Sequence, residues 1–183
     1  MNVRETAIPG ALILEPKVWA DTRGFLLEMY RANRYAELGV GGLLVQDNLS
    51  FSGKGVLRGL HWQQPHAQGK LVQVVAGEVF DVAVDLRRGS PAFGQWVGAV
   101  LSGDNRRQFW LPPGVAHGFL VTGPSALLVY KCSDYYDPQA ECTVRWDDAD
   151  LAIDWPLAGP PELSDKDRNA PCLSDIPPDK LPA

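Results

Sequence analysis

Residues 56–86, VLRGLHWQQPHAQGKLVQVVAGEVFDVAVDL, decide the fold of this chain. The second half of the stretch is rich in valine and is interrupted at Gly77, which is typical of two strands joined by a hairpin turn. Because side chains alternate between the faces of a strand, Lys70 is predicted to lie on the apolar face of the returning strand. That face would consist of Phe80, Val82, Val84 and Leu86. Asp81 is predicted to lie on the opposite face.

An inward-pointing Lys70 indicates a functional role more than a structural one. Burying an unpaired ammonium group costs free energy, so a lysine on an apolar face is rarely there for stability. The alternative is a lysine at the end of a strand, whose carbon stem is buried while its ammonium group reaches water.

Composition places the chain among ordinary globular domains. Its 183 residues favour one domain with a sizeable core, and 45% hydrophobic with 21% charged residues is typical of a soluble protein. A net charge of −5 gives no basic surface for nucleic acid, and no apolar run reaches the length of a membrane span or a signal peptide. Three cysteines without CxxC spacing indicate reduced thiols in a cytoplasmic protein.

Strand-like segments recur every 8–12 residues or so without a long amphipathic helix between them. This pattern predicts an all-β sandwich or barrel, most simply a jelly roll. A second hairpin is predicted across residues 122–124, and a short late strand at 144–146. Short helical turns are predicted at 31–38 and 165–169, and the segment from about 147 to 183 is expected to be rich in loops.

The three histidines raise the question of a metal site. His117 ends PPGVAH, which has the P-x-G-x-x-H form of the second cupin motif and is predicted to enter the mouth of a barrel. A metal-binding cupin also needs an H-x-H pair followed by a glutamate, but His61 is followed by Trp-Gln. We therefore expect no metal. A metal-dependent oxygenase or isomerase using His61, His66 and His117 remains the alternative, although His66 lies in a turn that is expected to be exposed.

His61 and Lys70 together suit proton abstraction beside a carbonyl group. A neutral imidazole is a base near pH 7, and an ammonium group can stabilise the enolate oxygen that forms. Tyr130 shares a strand face with apolar residues and could return a proton, while Asp167 in LSDKD could orient His61. The alternatives are a satisfied core histidine, a buried tyrosine with a bonded hydroxyl, and a solvated charged turn.

Seven segments in order resemble the dTDP-4-dehydrorhamnose 3,5-epimerase family: LRGLHWQ, AQGKLV, GEVFDVAVDLR, SPAFGQWVG, LPPGVAHGFLV, YKCSDYYDP and LSDKD. The resemblance covers nearly the whole chain, and seven ordered motifs are more specific than any single spacing. It implies a cupin-type jelly roll, a homodimer, no metal and no other cofactor. It also implies epimerisation of dTDP-4-dehydro-6-deoxy-glucose at C3 and C5, on the path to dTDP-L-rhamnose.

The resemblance also implies a role for each matching residue. The base would be His61, paired with Asp167; Lys70 would stabilise the enolate and Tyr130 would be the acid. The residues implied to contact the substrate are Arg23, Glu28, Gln46, Asp47, Asn48, Arg58, His117, Glu141 and Lys166.

One geometric question and two other functions stay open. Arg58 and His61 are three positions apart, so an unbroken strand would place them on opposite faces. A bulge at Gly59, or a site shared across a dimer, would be needed for both to reach one ligand. A single-position epimerase of another deoxysugar pathway and a non-catalytic sugar-binding protein are the competing functions.

Overall fold

The computed structural model describes residues 1–183, and most of its regular structure is strand. The strands are β1 (Asn2–Glu5), β2 (Leu12–Glu15), β3 (Val18–Asp21), β4 (Gly24–Leu27), β5 (Gln46–Gly53), β6 (Leu57–Gln63), β7 (Lys70–Asp85), β8 (Trp96–Ser102), β9 (Gln108–Leu111), β10 (Val115–Cys132) and β11 (Glu141–Thr143). The helices are α1 (Ala32–Glu37) and α2 (Asp165–Arg168), with 3-10 turns at Leu173–Asp175 and Pro178–Lys180. None of these helices is long and apolar enough to cross a membrane.

Nine strands form one antiparallel sheet, in the order β1-β2-β9-β7-β10-β6-β11, with β5 attached to β10 and β8 attached to β7. The remaining two strands, β3 and β4, form a separate hairpin. The long strands β7 and β10 change neighbours along their length, so the sheet curves around a core. The predicted all-β class is confirmed, as are the two predicted helical turns, which are α1 and α2.

Both predicted hairpins are wrong, because β7 and β10 each run through the expected turn as one strand. The two strands pair with each other over almost their whole length. The pairing register shifts between Val121 and Ala126, opposite Val79 and Gly77, and again between Leu127 and Leu128, opposite Ala76 and Val74. Gly77 has φ +80°, the left-handed region that suits glycine. The turn-forming residues therefore bend two paired strands through a bulge instead of reversing either one.

The bulge also reverses the prediction about which side chains of β7 face inward. Val74 and Val79 are five positions apart, yet both belong to the same core cluster, so the alternation slips by one residue between them. Lys70 consequently shares its face with Asp81 and Ala83, not with the even-numbered set from Phe80 onward. The prediction that Asp81 lies on the face opposite Lys70 is therefore wrong.

The other face of β7 is buried as well, because the C-terminal segment covers it. Val82 and Val84 pack in a second core cluster with Leu151 and Trp155, and the rings of Phe80 and Trp155 meet edge to face at 6.0 Å. Burial on both faces explains why this strand is almost continuously apolar. The loop-rich segment predicted after residue 147 thus completes the core.

The late strand predicted at residues 144–146 is displaced toward the N-terminus. The strand β11 ends at Thr143, although Val144 still exchanges two backbone hydrogen bonds with Leu60, at 3.1 and 3.2 Å. The next backbone N–H, that of Arg145, donates to the carbonyl of Pro171 at 2.9 Å. The chain therefore leaves β6 at Arg145, the second residue of the predicted strand, and bonds to the C-terminal segment instead.

Gly77→Ala is expected to lower the free energy of unfolding by about 3–5 kcal/mol, because it combines a left-handed backbone with an overlap of atoms. A Cβ atom at Gly77 would lie 1.8 Å from the carbonyl oxygen of Ser125. Gly94 is a matched control: it has φ +76° but no atom within 4 Å of a Cβ, so Gly94→Ala is expected to cost only about 1–2 kcal/mol. Urea denaturation measures the free energy of unfolding of both variants. Equal losses of stability would contradict the close approach of Gly77 to the backbone of Ser125.

Candidate active site

A cavity of 560 Å³ opens between the strands and the C-terminal segment. Most of its lining side chains are polar or charged, which suits a hydrophilic, anionic ligand. The lining consists of Asn48, Ser50, Arg58, His61, Lys70, His117, Phe119, Tyr130, Tyr136, Glu141, Ser164, Lys166 and Asp167.

Strand β6 brings Arg58 and His61 to this cavity through a bulge. His61 pairs with His117, and Arg58 pairs with Phe119, so three steps along β6 oppose two steps along β10. Gly59 makes the bulge possible: it has φ +122°, and a Cβ there would lie 2.5 Å from the Cα of Gly118. The bulge at Gly59, one of the two open alternatives, is therefore sufficient for both side chains to line the same cavity within one chain.

His61 is held by a carboxylate from the far end of the chain. Its Nε2 lies 2.5 Å from Oδ1 of Asp167, which is only 3% exposed. The backbone N–H of Asp167 donates to Oγ of Ser164, the N-cap of α2, and that hydroxyl donates to Oδ2 of Asp167 at 2.9 Å. An ionised Asp167 only accepts hydrogen bonds, so Nε2 carries the proton and Nδ1 of His61 is left as the basic nitrogen.

The pKa values of this pair fit a base and its orienting anion. Burial lowers the pKa of His61 below its ordinary value, although the bond to Asp167 acts to raise it. Burial acts to raise the pKa of Asp167, but the hydrogen bonds from His61 and Ser164 outweigh it and hold that pKa low. His61 is therefore neutral and Asp167 is ionised near pH 7.

Lys70 and Tyr130 lie on neighbouring strands of the cavity wall. Lys70 is 8% exposed, and its only hydrogen bond runs from Nζ to the carbonyl of His61 at 3.4 Å. Burial lowers the pKa of Lys70 and raises that of Tyr130. The Tyr130 hydroxyl makes no hydrogen bond within the chain, which argues against the alternative of a core tyrosine with a bonded hydroxyl. A protonated phenol and a buried amine thus face the same space as His61.

A second buried pair lies beside the first, on the other side of the β6–β10 pairing. Nε2 of His117 is 2.9 Å from Oδ2 of Asp81, a residue with no exposed surface.

Closer to solvent, Lys166 donates to Glu141 at 2.8 Å. The guanidinium of Arg58 makes one hydrogen bond, from Nε to Ser52, so its terminal nitrogens are available to a ligand.

Two of the predicted substrate contacts, Arg23 and Glu28, do not line this cavity. Arg23 is at the tip of the β3–β4 hairpin, where it pairs with Asp21 at 2.5 Å and its side chain is 88% exposed. Glu28, just after the hairpin, pairs with Arg34 at 2.7 Å. Neither residue reaches the cavity of its own chain.

Gln46 and Asp47 also lie outside the cavity lining. Gln46 donates to the side chain of Asn48 at 3.1 Å and accepts the backbone N–H of Tyr136 at 2.9 Å, so it supports two lining residues. Asp47 pairs with Lys131 at 2.8 Å on the exposed side of the strand, as alternation with Asn48 requires.

Four lining residues were not predicted from the sequence: Ser50, Phe119, Tyr136 and Ser164. The first two lie two positions along a strand from a predicted residue, so alternation could have found them. Ser164 is signalled by the spacing of an N-cap serine three residues before Asp167. Tyr136 lies in a loop, where no periodic pattern reports the direction of a side chain.

The three histidines do not converge. The side chain of His66 is 61% exposed and lies 4.0 Å from Asp134, outside the cavity. No group of three or more His, Cys, Asp or Glu side chains is placed to hold a metal ion. The arrangement therefore does not favour the three-histidine metal site considered above.

This chain is similar to known proteins in both sequence and structure. The family model for dTDP-4-dehydrorhamnose 3,5-epimerase matches residues 5–175. The dTDP-4-dehydrorhamnose 3,5-epimerase of Salmonella typhimurium is 53% identical over 175 residues, covering 94% of this chain and 96% of that protein. Such a match over nearly both whole lengths exceeds what a shared fold alone produces.

Solved structures give the same result. The dTDP-6-deoxy-D-glucose-3,5-epimerase of Legionella pneumophila, in complex with dTDP-4-keto-L-rhamnose, superposes with a TM-score of 0.97 at 55% identity, covering 99% of this chain and 97% of that chain. ChmJ, a 3'-monoepimerase from Streptomyces bikiniensis in complex with dTDP-quinovose, gives 0.87 at 37% identity, covering 92% and 86%. The cupin-type fold implied by the sequence motifs is confirmed.

Proposed function

The chain belongs to the dTDP-4-dehydrorhamnose 3,5-epimerase family, and from this membership we infer that it epimerises dTDP-4-dehydro-6-deoxy-glucose to dTDP-4-dehydro-L-rhamnose. It is an isomerase of the dTDP-L-rhamnose pathway. The observation that supports its chemistry most strongly is the His61–Asp167 pair at 2.5 Å, which shares a cavity with Lys70 and Tyr130.

In the proposed mechanism, His61 takes the proton from C5, which the C4 ketone acidifies. The electron pair moves onto the C4 oxygen, where the Lys70 ammonium stabilises the enolate. Tyr130 then donates a proton to the opposite face of C5. Once His61 has released its proton to solvent and Tyr130 has regained one from it, the same sequence inverts C3. A positioned base contributes about 10²–10⁴-fold to such a reaction. Asp167 keeps Nδ1 of His61 unprotonated and directed into the cavity.

The outer part of the cavity is proposed to hold the diphosphate. The free terminal nitrogens of Arg58 can bind two phosphate oxygens at once, and Lys166 adds a second cation at the same opening. Asn48 also lines the cavity and can donate to the substrate. Anchoring the diphosphate would hold the sugar so that both reacting carbons reach His61 in turn.

Proton NMR of the product tests this function directly. Protein treated with a chelator and then dialysed is expected to form the product inverted at C3 and C5 at the same rate as untreated protein, because Lys70 supplies the positive charge that the enolate needs. We propose that no metal or other cofactor takes part. Inversion at one carbon only would favour the single-position alternative represented by ChmJ, and loss of activity that returns with added metal would contradict the metal-free mechanism.

The pH dependence of Asp167→Asn is expected to separate orientation from binding. Neutral His61 is the active form, so kcat/KM falls as the pH drops through the pKa of His61. Asp167 acts to raise that pKa, so its removal moves the acid limb to lower pH, while the plateau falls by about 10²–10⁴-fold. An acid limb that stays in place or moves to higher pH would contradict the pairing.

We propose that the enzyme is a homodimer whose β3–β4 hairpin reaches the cavity of the partner. This would explain why Arg23 and Glu28 lie away from their own cavity, and the hairpin exposes two large apolar residues, Phe25 and Leu26. Strand β5 pairs only with β10, which leaves its other edge open to a second chain.

The three cysteines form no disulfide, in keeping with our proposal that the protein works in the cytoplasm, which cell fractionation would check.

Subunit mixing tests this arrangement. His61→Ala and Arg23→Ala homodimers are each expected to lose activity, but dissociating and reassociating them together should restore part of it. In a mixed dimer, the Arg23→Ala subunit keeps its own His61 and receives an intact Arg23 from its partner. A monomer by light scattering, or mixtures no more active than the two separate variants, would contradict the shared site.

A further inference from the structure

Asp81 is a buried carboxylate for which the proposed mechanism has no use. It lies on β7, has no exposed surface, and faces the same side as Lys70 because of the bulge at Gly77. It does not line the cavity itself but lies directly behind His117, which does. Burying a carboxylate costs several kcal/mol unless its charge is matched, so its presence in this position needs an explanation.

One oxygen of Asp81 fixes the state of His117. Its Oδ2 lies 2.9 Å from Nε2 of His117, and an ionised carboxylate only accepts hydrogen bonds. The Nε2 atom therefore carries a proton, and Nδ1 is the nitrogen left for a ligand in the cavity. Without the carboxylate, the imidazole could take either tautomer and rotate about its side-chain bonds.

The other oxygen of Asp81 has no hydrogen-bond partner, although it is buried. The nearby buried cation is Lys70, whose only hydrogen bond is the long one to the carbonyl of His61. Burial lowers the pKa of Lys70 and Lys166 adds to that effect, whereas Cys132, Glu141 and Asp81 act in the opposite direction. Burial raises the pKa of Asp81, and both His117 and Lys70 oppose that rise. Contacts also link the two residues: Lys70 donates to the carbonyl of His61, His61 pairs with His117 across the strands, and His117 bonds to Asp81.

We propose that Asp81 is a positioning residue of the epimerase, which holds His117 in one tautomer and supplies the counter-charge that keeps Lys70 protonated before the enolate forms. The inference rests on the proposed function and adds a role for a residue that does not contact the substrate. Asp81 thereby links two groups of the cavity wall: the lysine proposed to meet the enolate oxygen and the histidine predicted to contact the substrate.

Asp81→Asn is the direct test, because it keeps the shape of the side chain and removes its charge. We expect kcat to fall by about 10²-fold, with a much smaller change in KM, since a misplaced group near the reacting carbons costs about that much. Losing the anion also lowers the pKa of Lys70, so the alkaline limb of the kcat profile is expected to move to lower pH. An unchanged limb would overturn the counter-charge role.

Asp85→Asn is the matched control. Asp85 is equally buried on the same strand, but it pairs with Arg87 and Ser90 away from the cavity. This variant is expected to lose stability without any movement of the alkaline limb. If both variants shift the limb equally, the effect of Asp81→Asn is merely structural and the inference fails.

Two further measurements keep the inference testable if Asp81→Asn folds poorly. In a double-mutant cycle, Asp81→Asn should cost much less in a His117→Asn background than alone, because Asp81 acts partly through His117; full additivity would contradict this. In the wild-type enzyme, an NMR titration of the Lys70 Cε resonance, assigned with Lys70→Arg, should show an ammonium group at pH 7.5. A neutral amine there would overturn the inference, whereas a wild-type enzyme without epimerase activity would instead overturn the proposed function.

Discussion

His61→Ala is expected to slow the exchange of the C5 proton with solvent by at least about 10²–10⁴-fold, the usual contribution of a positioned general base. The reason is local: Asp167 holds the ring of His61 and leaves its Nδ1 basic, in the cavity that His61 shares with Lys70 and Tyr130. Exchange is followed by NMR with dTDP-4-dehydro-6-deoxy-glucose in D₂O, which reports removal of the proton whether or not the carbon inverts.

His66→Ala is the control for this experiment. His66 is the exposed histidine outside the cavity, and its removal is expected to leave the exchange rate unchanged. The base assignment would be wrong if His61→Ala exchanged the C5 proton as fast as the wild-type enzyme does.

Tyr130→Phe is expected to separate proton removal from inversion. The base and the enolate stabiliser remain, so the variant should still exchange the substrate protons through His61 on the original face. The phenol that donates to the opposite face is gone, so formation of the inverted product should fall by about 10²-fold or more. Burial raises the pKa of Tyr130, so the phenol is protonated at neutral pH and can act as the acid.

The readout for Tyr130→Phe is the ratio of deuterium in recovered substrate to inverted product. Tyr135→Phe is the matched control, since this exposed tyrosine does not line the cavity. Inverted product at the wild-type rate from Tyr130→Phe would show that another group, or water, is the acid.

The class of the fold could be predicted from the spacing of strands, but the path of the two longest strands could not. Gly77 and the Thr122-Gly123-Pro124 segment carry the residue types of a reversing turn, and the same types also permit a bulge. The choice between them depends on whether a neighbouring strand continues alongside. The position of the neighbouring strand is tertiary information that the local sequence does not carry. Because a hairpin was predicted at Gly77 in place of a bulge, Asp81 was assigned to the wrong face of β7.

Some features of the site could likewise be predicted from the sequence, and others could not. Alternation correctly placed Lys70 toward the interior, and it identified the need for a bulge at Gly59, which the register confirms. The contact between His61 and Asp167 spans 106 residues, so only the family resemblance pointed to it firmly. Arg23 and Glu28 lie outside the cavity of a single chain, and no sequence pattern indicates which subunit a side chain serves.

The most direct test of the central claim is a count of deuterium at each sugar carbon after the wild-type enzyme has acted on dTDP-4-dehydro-6-deoxy-glucose in D₂O. One solvent-derived deuterium at C3 and one at C5, both in a product inverted at those two carbons, is the expected result. Deuterium at only one of the two carbons, or an inverted product that retains its original hydrogens, would contradict proton transfer by His61 and Tyr130 on both sides of the ketone.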